Sequence, residues 1–377
     1  MKTKPGRSGA IASADLVCRK ISLPATVAQA MIRALQTGQW TGELPGERKL
    51  CELLQVSRVT LRPALRQLER EGWLRTVPGQ RRAVVAEIKT VPASAPSGKI
   101  ILISPLPLHE IEPFVLLGID NLRELLARRH MLLETETRPE CYGHSPAGAL
   151  ERLCREFRPD VWLLWRSTRA MQEWFQGQKH RHVVLGSVFQ RDSSPSVDID
   201  HVATAHHAAT TFGRMGHRRI AVIVADSTLA GDLRSVEGFC AGADEYRPGP
   251  LRAETVRHDG TAAGVVRSVD RVLGLVPRPT GIFSAGGRQT IAIMTRLLQL
   301  GIRIPQEMSV ISRDDDYALD FVTPAPGRYY RPPIKFARGV FRQIERQLTS
   351  SSQEPRAFSI FPDFLPKETL ARPAGGS

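Results

Sequence analysis

From residue 99 onward, short apolar runs rich in Ile, Val, Leu and Trp alternate with stretches of helical period, and this alternation restricts the fold of the 377-residue chain more than any other feature. KIILIS (99–104) is followed by FVLLGIDNLRELLARR (114–129), MLLETET (131–137), AGALERLCREF (147–157) and VWLLW (161–165). The order continues with HVVLG (182–186), ATAHHAATTFGRM (203–215), RIAVIVA (219–225), RSVEGFCAGADEY (234–246), GIFSA (281–285), RQTIAIMTRLLQL (288–300) and MSVIS (308–312). Parallel strands need a crossover, usually a helix, so this rhythm predicts an α/β fold with helices on both faces of parallel sheets. The stretch is long for one doubly wound sheet and suits two similar lobes. Thr349–Pro355 reads as a loop.

The first quarter of the chain is different. Residues 1–98 hold 16 of the 52 Lys and Arg but only 7 of the 38 Asp and Glu, so most of the formal +14 charge is local and calls for a polyanionic partner there. Pro, Ala and Ser in TVPASAPSG mark residues 90–98 as an extended linker between a helix-rich module at 22–89 and the α/β region at 99–373.

Within the first module, Glu47–Leu54 reads as a short helix with Leu50, Leu53 and Leu54 on one side, and Gln55–Val56 as a tight break. Ser57 is placed to cap a second helix. Val59, Leu61, Leu65 and Leu68 are assigned to its apolar face, and Arg58, Arg62, Arg66 and Arg70 form a basic stripe at every fourth residue. A solvated helix face explains the stripe taken alone. Joined to a tight turn and a local charge excess, it suits a DNA major groove, where Arg reaches guanine edges and Thr60 a phosphate or thymine methyl. Pro63 predicts a distortion of the helix and not a break. Trp73–Val77 and Arg81–Ala86 read as two strands around a Pro78-Gly79 turn, with Arg81 and Arg82 projecting from the wing they form.

LPGERKLCELLQVSRVTLRPALRQLEREGWL resembles the GntR-family winged helix-turn-helix over roughly Thr26–Val85. The resemblance implies DNA contacts by Arg48, Ser57, Arg58, Thr60 and Arg62, with Gly79 at the wing tip; Arg81 joins them from the wing. Departures from the family pattern are Gly46 in place of Ser and Gln80-Arg81-Arg82 in place of a Gly-Thr wing.

The second module resembles LacI/GalR-family sensor domains through GHRRIAVI (216–223), RSVEGF (234–239), PTGIFSA (279–285), LGIRIPQEMSVISRDDD (300–316), RPPIKFARGVF (331–341) and PDFLPKETLARP (362–373). EPFVLLGIDNL (112–122) is similar to the matching piece of arabinose-repressor-type proteins, which join a GntR head to such a sensor. The implied fold is periplasmic-binding-protein-like, with a small polar, sugar-like effector between its lobes. Asp314 matches a ligand-binding Asp of that family, Asp198 and Asp200 fall in a similar ligand region, and Arg234 lies near the sugar-binding Arg. Ser235 occupies that Arg's own place, Gly286-Gly287 replaces Asn-Asp, and Ser312-Arg313 replaces Gly-Phe or Gly-Tyr.

Other chemistry is sparse. His201, His206 and His207 do not share a helical face, and Asp314-Asp315-Asp316 lacks a cation-loop spacing, so no metal is expected. No catalytic set or cofactor motif is recognised. An enzyme-like or cofactor-binding domain fused to the head, the alternative reading, would need a Schiff-base lysine, and Lys179, Lys335 and Lys367 lie outside any such motif. Cys18, Cys51, Cys141, Cys154 and Cys240 form no CxxC pair and are odd in number, which favours reduced thiols. With no signal peptide or membrane-length apolar run recognised, a cytoplasmic location is expected. The whole reads as a transcription regulator, by family resemblance a repressor relieved by ligand, that binds an inverted-repeat operator as a homodimer.

Overall fold

The computed structural model describes residues 27–28, 31–32, 34–35, 40, 42–54, 56–70, 73–75, 82–84, 98–178, 180–190, 193–349 and 356–373. The chain separates into two compact units, Met1–Ala95 and Pro96–Ser377. Most of the expected linker at 90–98 and of the expected loop at 349–355 lies outside the described residues; Gly98 already belongs to the first strand of the second unit, and Thr349 ends a helix.

In the first unit, α1 (Glu47–Leu54) and α2 (Arg58–Arg70) precede a short antiparallel pair, β1 (Leu74–Arg75) and β2 (Ala83–Val84). The Pro78-Gly79 turn lies outside the described residues. Ser57 begins α2 as its sequence suggests: its Oγ accepts the Thr60 N–H at 3.3 Å and its carbonyl accepts that of Leu61 at 2.9 Å. The helix runs unbroken through Pro63. Leu61, Ala64, Leu65 and Leu68 are fully buried at helical spacing and pack with Leu50, Val27, Met31, Leu35, Leu44 and Leu74.

Two residues depart from the expected apolar faces. Val59 is 82% exposed, because two residues before Leu61 means about 200° around the helix, on the opposite side. Leu53, at 53% exposure, lies outside the contact that Leu50 and Leu54 make with the core.

The second unit contains two six-stranded sheets. The first, wholly parallel, is formed by β3 (Gly98–Ser104), β4 (Met131–Thr137), β5 (Val161–Trp165), β6 (His182–Leu185), β7 (Ser196–Ile199) and β13 (Ala357–Ile360), in the spatial order β13-β7-β6-β5-β3-β4. Its inner strands β3 and β5 are apolar on both faces, as buried parallel strands are, while the edge strands β4 and β13 are partly exposed. Ile100 and Leu102 of β3, with Val161, Leu163 and Trp165 of β5, join the cluster beneath α3 (Pro113–Ala127). Ile101, Ile103, Trp162 and Leu164 point the other way, toward α4 (Ala147–Glu156) and α5 (Arg169–Gly177).

The second sheet has the order β14-β12-β11-β10-β8-β9, from β8 (Arg219–Ala225), β9 (Arg252–His258), β10 (Gly281–Ser284), β11 (Ser309–Ser312), β12 (Gly327–Tyr330) and β14 (Asp363–Leu365), with only β14 antiparallel. On one face lie α6 (His201–Arg214) and α7 (Ala230–Asp244), on the other α8 (Ala262–Leu273) and α9 (Gly287–Gln299). The α6 and α7 backbones touch: a Cβ at Gly242 would stand 2.7 Å from the His206 carbonyl oxygen, and one at Gly238 would meet that of Val202.

The chain passes between the lobes three times: from β7 into α6, from β12 into α10 (Pro333–Thr349), whose Phe336, Val340 and Ile344 enter the first core, and from β13 into β14. This threading gives two lobes joined by three segments; two lobes are what the length of the α/β region suits, while the three crossings carry no sequence signal. Several elements carry weak sequence signals and were not expected from it. Strand β9 (RAETVRH), for example, is a polar edge strand.

Candidate functional site

Both units present a candidate surface. On the first, Arg66 is exposed along α2 on the side away from Leu61 and Leu65, Arg58 is exposed at the start of that helix, and no described carboxylate pairs with Arg58. Arg48 is exposed on α1 beside Glu52 at 3.5 Å. Thr60 is half-buried, its hydroxyl 3.1 Å from that of Ser57. Arg62 is accessible but donates to Glu47 at 3.1 Å. The expectation for Arg82 is overturned: instead of projecting from the wing, it donates to Glu69 at 2.7 Å and Glu47 at 3.2 Å, because one carboxylate from each helix draws it against the core. Burial opposes the Glu47 charge, but Arg62 and Arg82 hold its carboxyl below the ordinary range. Gly79 and Arg81 lie outside the described residues.

In the second unit, a cavity of about 150 Å³ opens between the lobes. It lies beyond the C-terminal ends of strands in both sheets, where open α/β sheets place ligands. Arg166 and Ser167 after β5, and Gly186 and Ser187 after β6, line one side. His201 at the start of α6, Leu229–Asp232 leading into α7, and Arg313 after β11 line the other.

None of the four residues expected to bind ligand lines this cavity; each stands behind it. Asp314 is 4% exposed and enclosed by arginines. Arg313 grips both its oxygens, Nε at 3.2 Å and Nη2 at 3.1 Å, and Arg331 Nη1 lies 3.2 Å from Oδ1. Burial opposes its charge, but the Arg313 and Arg331 guanidiniums hold the carboxyl well below the ordinary carboxylate range. Arg313 Nη1 also donates to Asp232 at 2.9 Å and to the Ser235 hydroxyl at 3.0 Å. The serine standing at the family's arginine position thus receives a guanidinium from a different segment.

Asp198 accepts from the Ser187 hydroxyl and the Ile199 N–H, with Arg234 3.8 Å away. Burial pushes its carboxyl up to about 6. Arg234 reaches across to the Val188 carbonyl at 2.7 Å, tying α7 to the first lobe. Asp200 caps α6, accepting the Ala203 N–H at 2.8 Å. Arg331 stacks over the Phe114 ring at 4.3 Å and makes a second bridge between lobes.

Arg166, Ser187, His201, Asp232 and Arg313 line the cavity, and the sequence reading placed none of them at a ligand site. Only Arg313 carried a signal, as a charged residue where the family pattern has an aromatic one. His201, His206 and His207 serve separate neighbours: Asp198 at 3.6 Å, Glu245 at 3.0 Å and the Tyr329 hydroxyl at 2.7 Å. Cys51, Cys141, Cys154 and Cys240 are free thiols; Cys18 lies outside the described residues.

Two histidines give the second unit a pH signature. His217 donates from Nε2 to the Ala371 carbonyl at 3.1 Å, which leaves Nδ1 to accept the Thr280 hydroxyl at 2.7 Å and fixes the ring as neutral. Burial pushes His217 down to about 4 and His201 to about 3, from an ordinary value of 6.5. Below pH 6.5 the unfolded chain takes up protons that these folded sites refuse, so their contribution is present above 6.5 and is lost toward 4 and 3. Asp198 opposes them, since its raised value favours the folded state at low pH and that advantage is lost as pH rises through about 6. Burial lowers His182, His207 and His258 as well, so five histidines stand against Asp198 and the urea midpoint should rise between pH 4.5 and 7, less steeply in His217→Gln. A flat or falling wild-type profile would contradict the neutral burial of these rings.

Among the described residues no helix is long and apolar enough to cross a membrane. Residues 23–84 match the gntR family of bacterial regulatory proteins, and residues 209–369 match the periplasmic binding protein-like domain. The HTH-type transcriptional repressor PurR of Vibrio cholerae is 24% identical over 228 residues, covering 58% of this chain and 66%, just under two thirds, of that protein. PurR of Escherichia coli is also 24% identical, over 41% of this chain and 46% of its own length. Among solved structures, a LacI family transcriptional regulator from Enterococcus faecium with bound ribose shares the fold at a TM-score of 0.60 and 16% identity, covering 73% of this chain and 99% of that one. The transcriptional regulator CelR in complex with cellobiose does so at 0.63 and 18%, covering 87% of this chain and 100% of that one. The chain therefore joins a segment that matches the gntR family of bacterial regulatory proteins to one that matches the periplasmic binding protein-like domain, with the fold seen in the solved LacI family regulators.

Proposed function

We propose that this protein is a transcriptional repressor that binds duplex DNA through α2 and a small polar effector in the interlobe cleft. One observation carries the reading. Helix α2 is sealed on one side by Leu61, Ala64, Leu65 and Leu68 while Arg58, Arg62, Arg66 and Arg70 stay accessible, and among the described residues only Arg62 of these four makes an ion pair, with Glu47. The contacts assigned to DNA are Arg48, Ser57, Arg58, Thr60 and Arg62, with Gly79 and Arg81 from the wing. Ribose and cellobiose in the neighbouring structures support a sugar-like effector. The relatives are named as repressors and regulators, which favours this reading over a fused enzyme. The protein works in the cytoplasm as a homodimer, two heads reading an inverted repeat with multiplied affinity.

The test is selection of binding sites by the full-length chain from random duplex DNA, followed by titration at several salt concentrations. The expected result is an inverted-repeat consensus whose affinity falls steeply with salt, as displaced counterions require. A chain that binds duplex DNA no better than a neutral protein at low salt is not a DNA-binding regulator. Effector added to the complex must weaken operator binding by the factor with which operator weakens effector binding.

A further inference from the structure

The charges around the cleft are not all paired. Arg234 stands against Asp198, Arg313 against Asp232 and Asp314, and Arg331 shares Asp314. Arg166, the fourth arginine, lines the cavity and pairs with no carboxylate among the described residues; its guanidinium lies 5.8 Å from the Trp165 ring. Its backbone is equally unusual, with φ +53° immediately after the fully buried strand β5, a region that residues other than glycine rarely occupy.

Across the cavity, Arg313 is fixed by four of its five N–H groups, two to Asp314, one to Asp232 and one to Ser235, leaving one donor on Nη2. Nδ1 of His201 is buried with no partner, although the ring lines the cavity. Its Nε2 faces Asp198 at 3.6 Å, so a neutral ring protonated there keeps Nδ1 free to accept a hydrogen bond. An exposed cation at the cavity with no ion-pair partner among the described residues, a fixed guanidinium with a spare donor and a buried acceptor make complementary demands on one small molecule.

Resting on the sensor reading above, we propose that the effector is a hydroxylated, monosaccharide-sized anion, a sugar acid or a sugar phosphate. Its negative group is held by Arg166 from the first lobe and the spare Arg313 N–H from the second, and one hydroxyl donates to His201 Nδ1. An anion bridging two arginines on opposite lobes draws the lobes together, which a neutral sugar does only through its hydroxyls.

The full-length chain is tested by calorimetric titration with glucose, gluconate, glucose 6-phosphate, ribose, ribose 5-phosphate and inorganic phosphate at constant ionic strength. At least one anionic sugar should bind ten or more times tighter than its neutral parent; gluconate and glucose 6-phosphate tell carboxylate from phosphate. Arg166→Gln should reduce that preference to within twofold, and Arg166→Lys should restore part of it. Equal affinity for parent and anion, or a preference that survives Arg166→Gln, overturns the proposal and leaves the sensor reading standing. Inorganic phosphate binding as tightly as the sugar phosphate overturns it as well, reducing the site to an adventitious ion only. No binding by any of the six overturns both the proposal and the sensor reading.

Discussion

Asp314→Ala should destabilise the second unit by about 3–5 kcal/mol, the usual cost of removing one partner from a buried ion pair. The reason is geometric. Asp314 is the shared partner of Arg313 and Arg331, which are 11% and 7% exposed at the side chain, and its loss leaves two guanidiniums facing each other away from water. For a unit of this size the thermal midpoint should fall by roughly 10 °C. Asp314→Asn keeps the shape and one acceptor oxygen and should lose less. Ligand response should disappear with the fold of the cleft, because Arg313 loses the two bonds that aim it. Were Asp314 instead a direct ligand group outside the arginine cluster, Asp314→Ala would abolish ligand binding at unchanged stability. Thermal denaturation of the variant without ligand separates the two.

The second large effect belongs to the head. Arg58→Ala should weaken binding to the selected DNA site by about 1–3 kcal/mol, roughly five- to 150-fold, with the loss concentrated at particular base pairs. Arg58 opens α2 directly after the Ser57 cap, is exposed and has no described carboxylate partner, so its guanidinium reaches DNA without first breaking a bond. Arg62 must exchange Glu47 for DNA, so Arg62→Ala should cost less than Arg58→Ala. Fluorescence anisotropy on the selected site and single-base variants checks both. A loss uniform across sequences would reassign Arg58 to phosphate contact, and no loss would remove it from the interface.

The contrast between Asp314 and Ser57 shows how far residues can be read locally. Ser57 acts within three residues of itself, on the Thr60 N–H, and its role follows from hydroxyl reach and helix geometry. The strands behave likewise. VWLLW and RIAVIVA are apolar on both faces because a parallel sheet is covered twice, and their alternate residues fall into opposite cores. Even so, Val59 shows the limit of composition without phase, since a residue of the right type stands on the wrong side of α2.

The sequence by itself therefore determined the alternation of strand and helix, the parallel sheets and the basic helix of the head from periodicities of two to four residues, and the two-lobed partition from the length of the α/β region, but not polar elements such as β9. Tertiary structure alone decided which charged groups face the cleft and which stand behind it. Arg313 meets Asp232 across 81 residues and Ser235 across 78, and pairing at that separation leaves no periodic trace. The physical reason is that a buried carboxylate takes the nearest guanidinium the fold supplies. Only after Asp198, Asp232 and Asp314 are so matched does the unmatched Arg166 become visible.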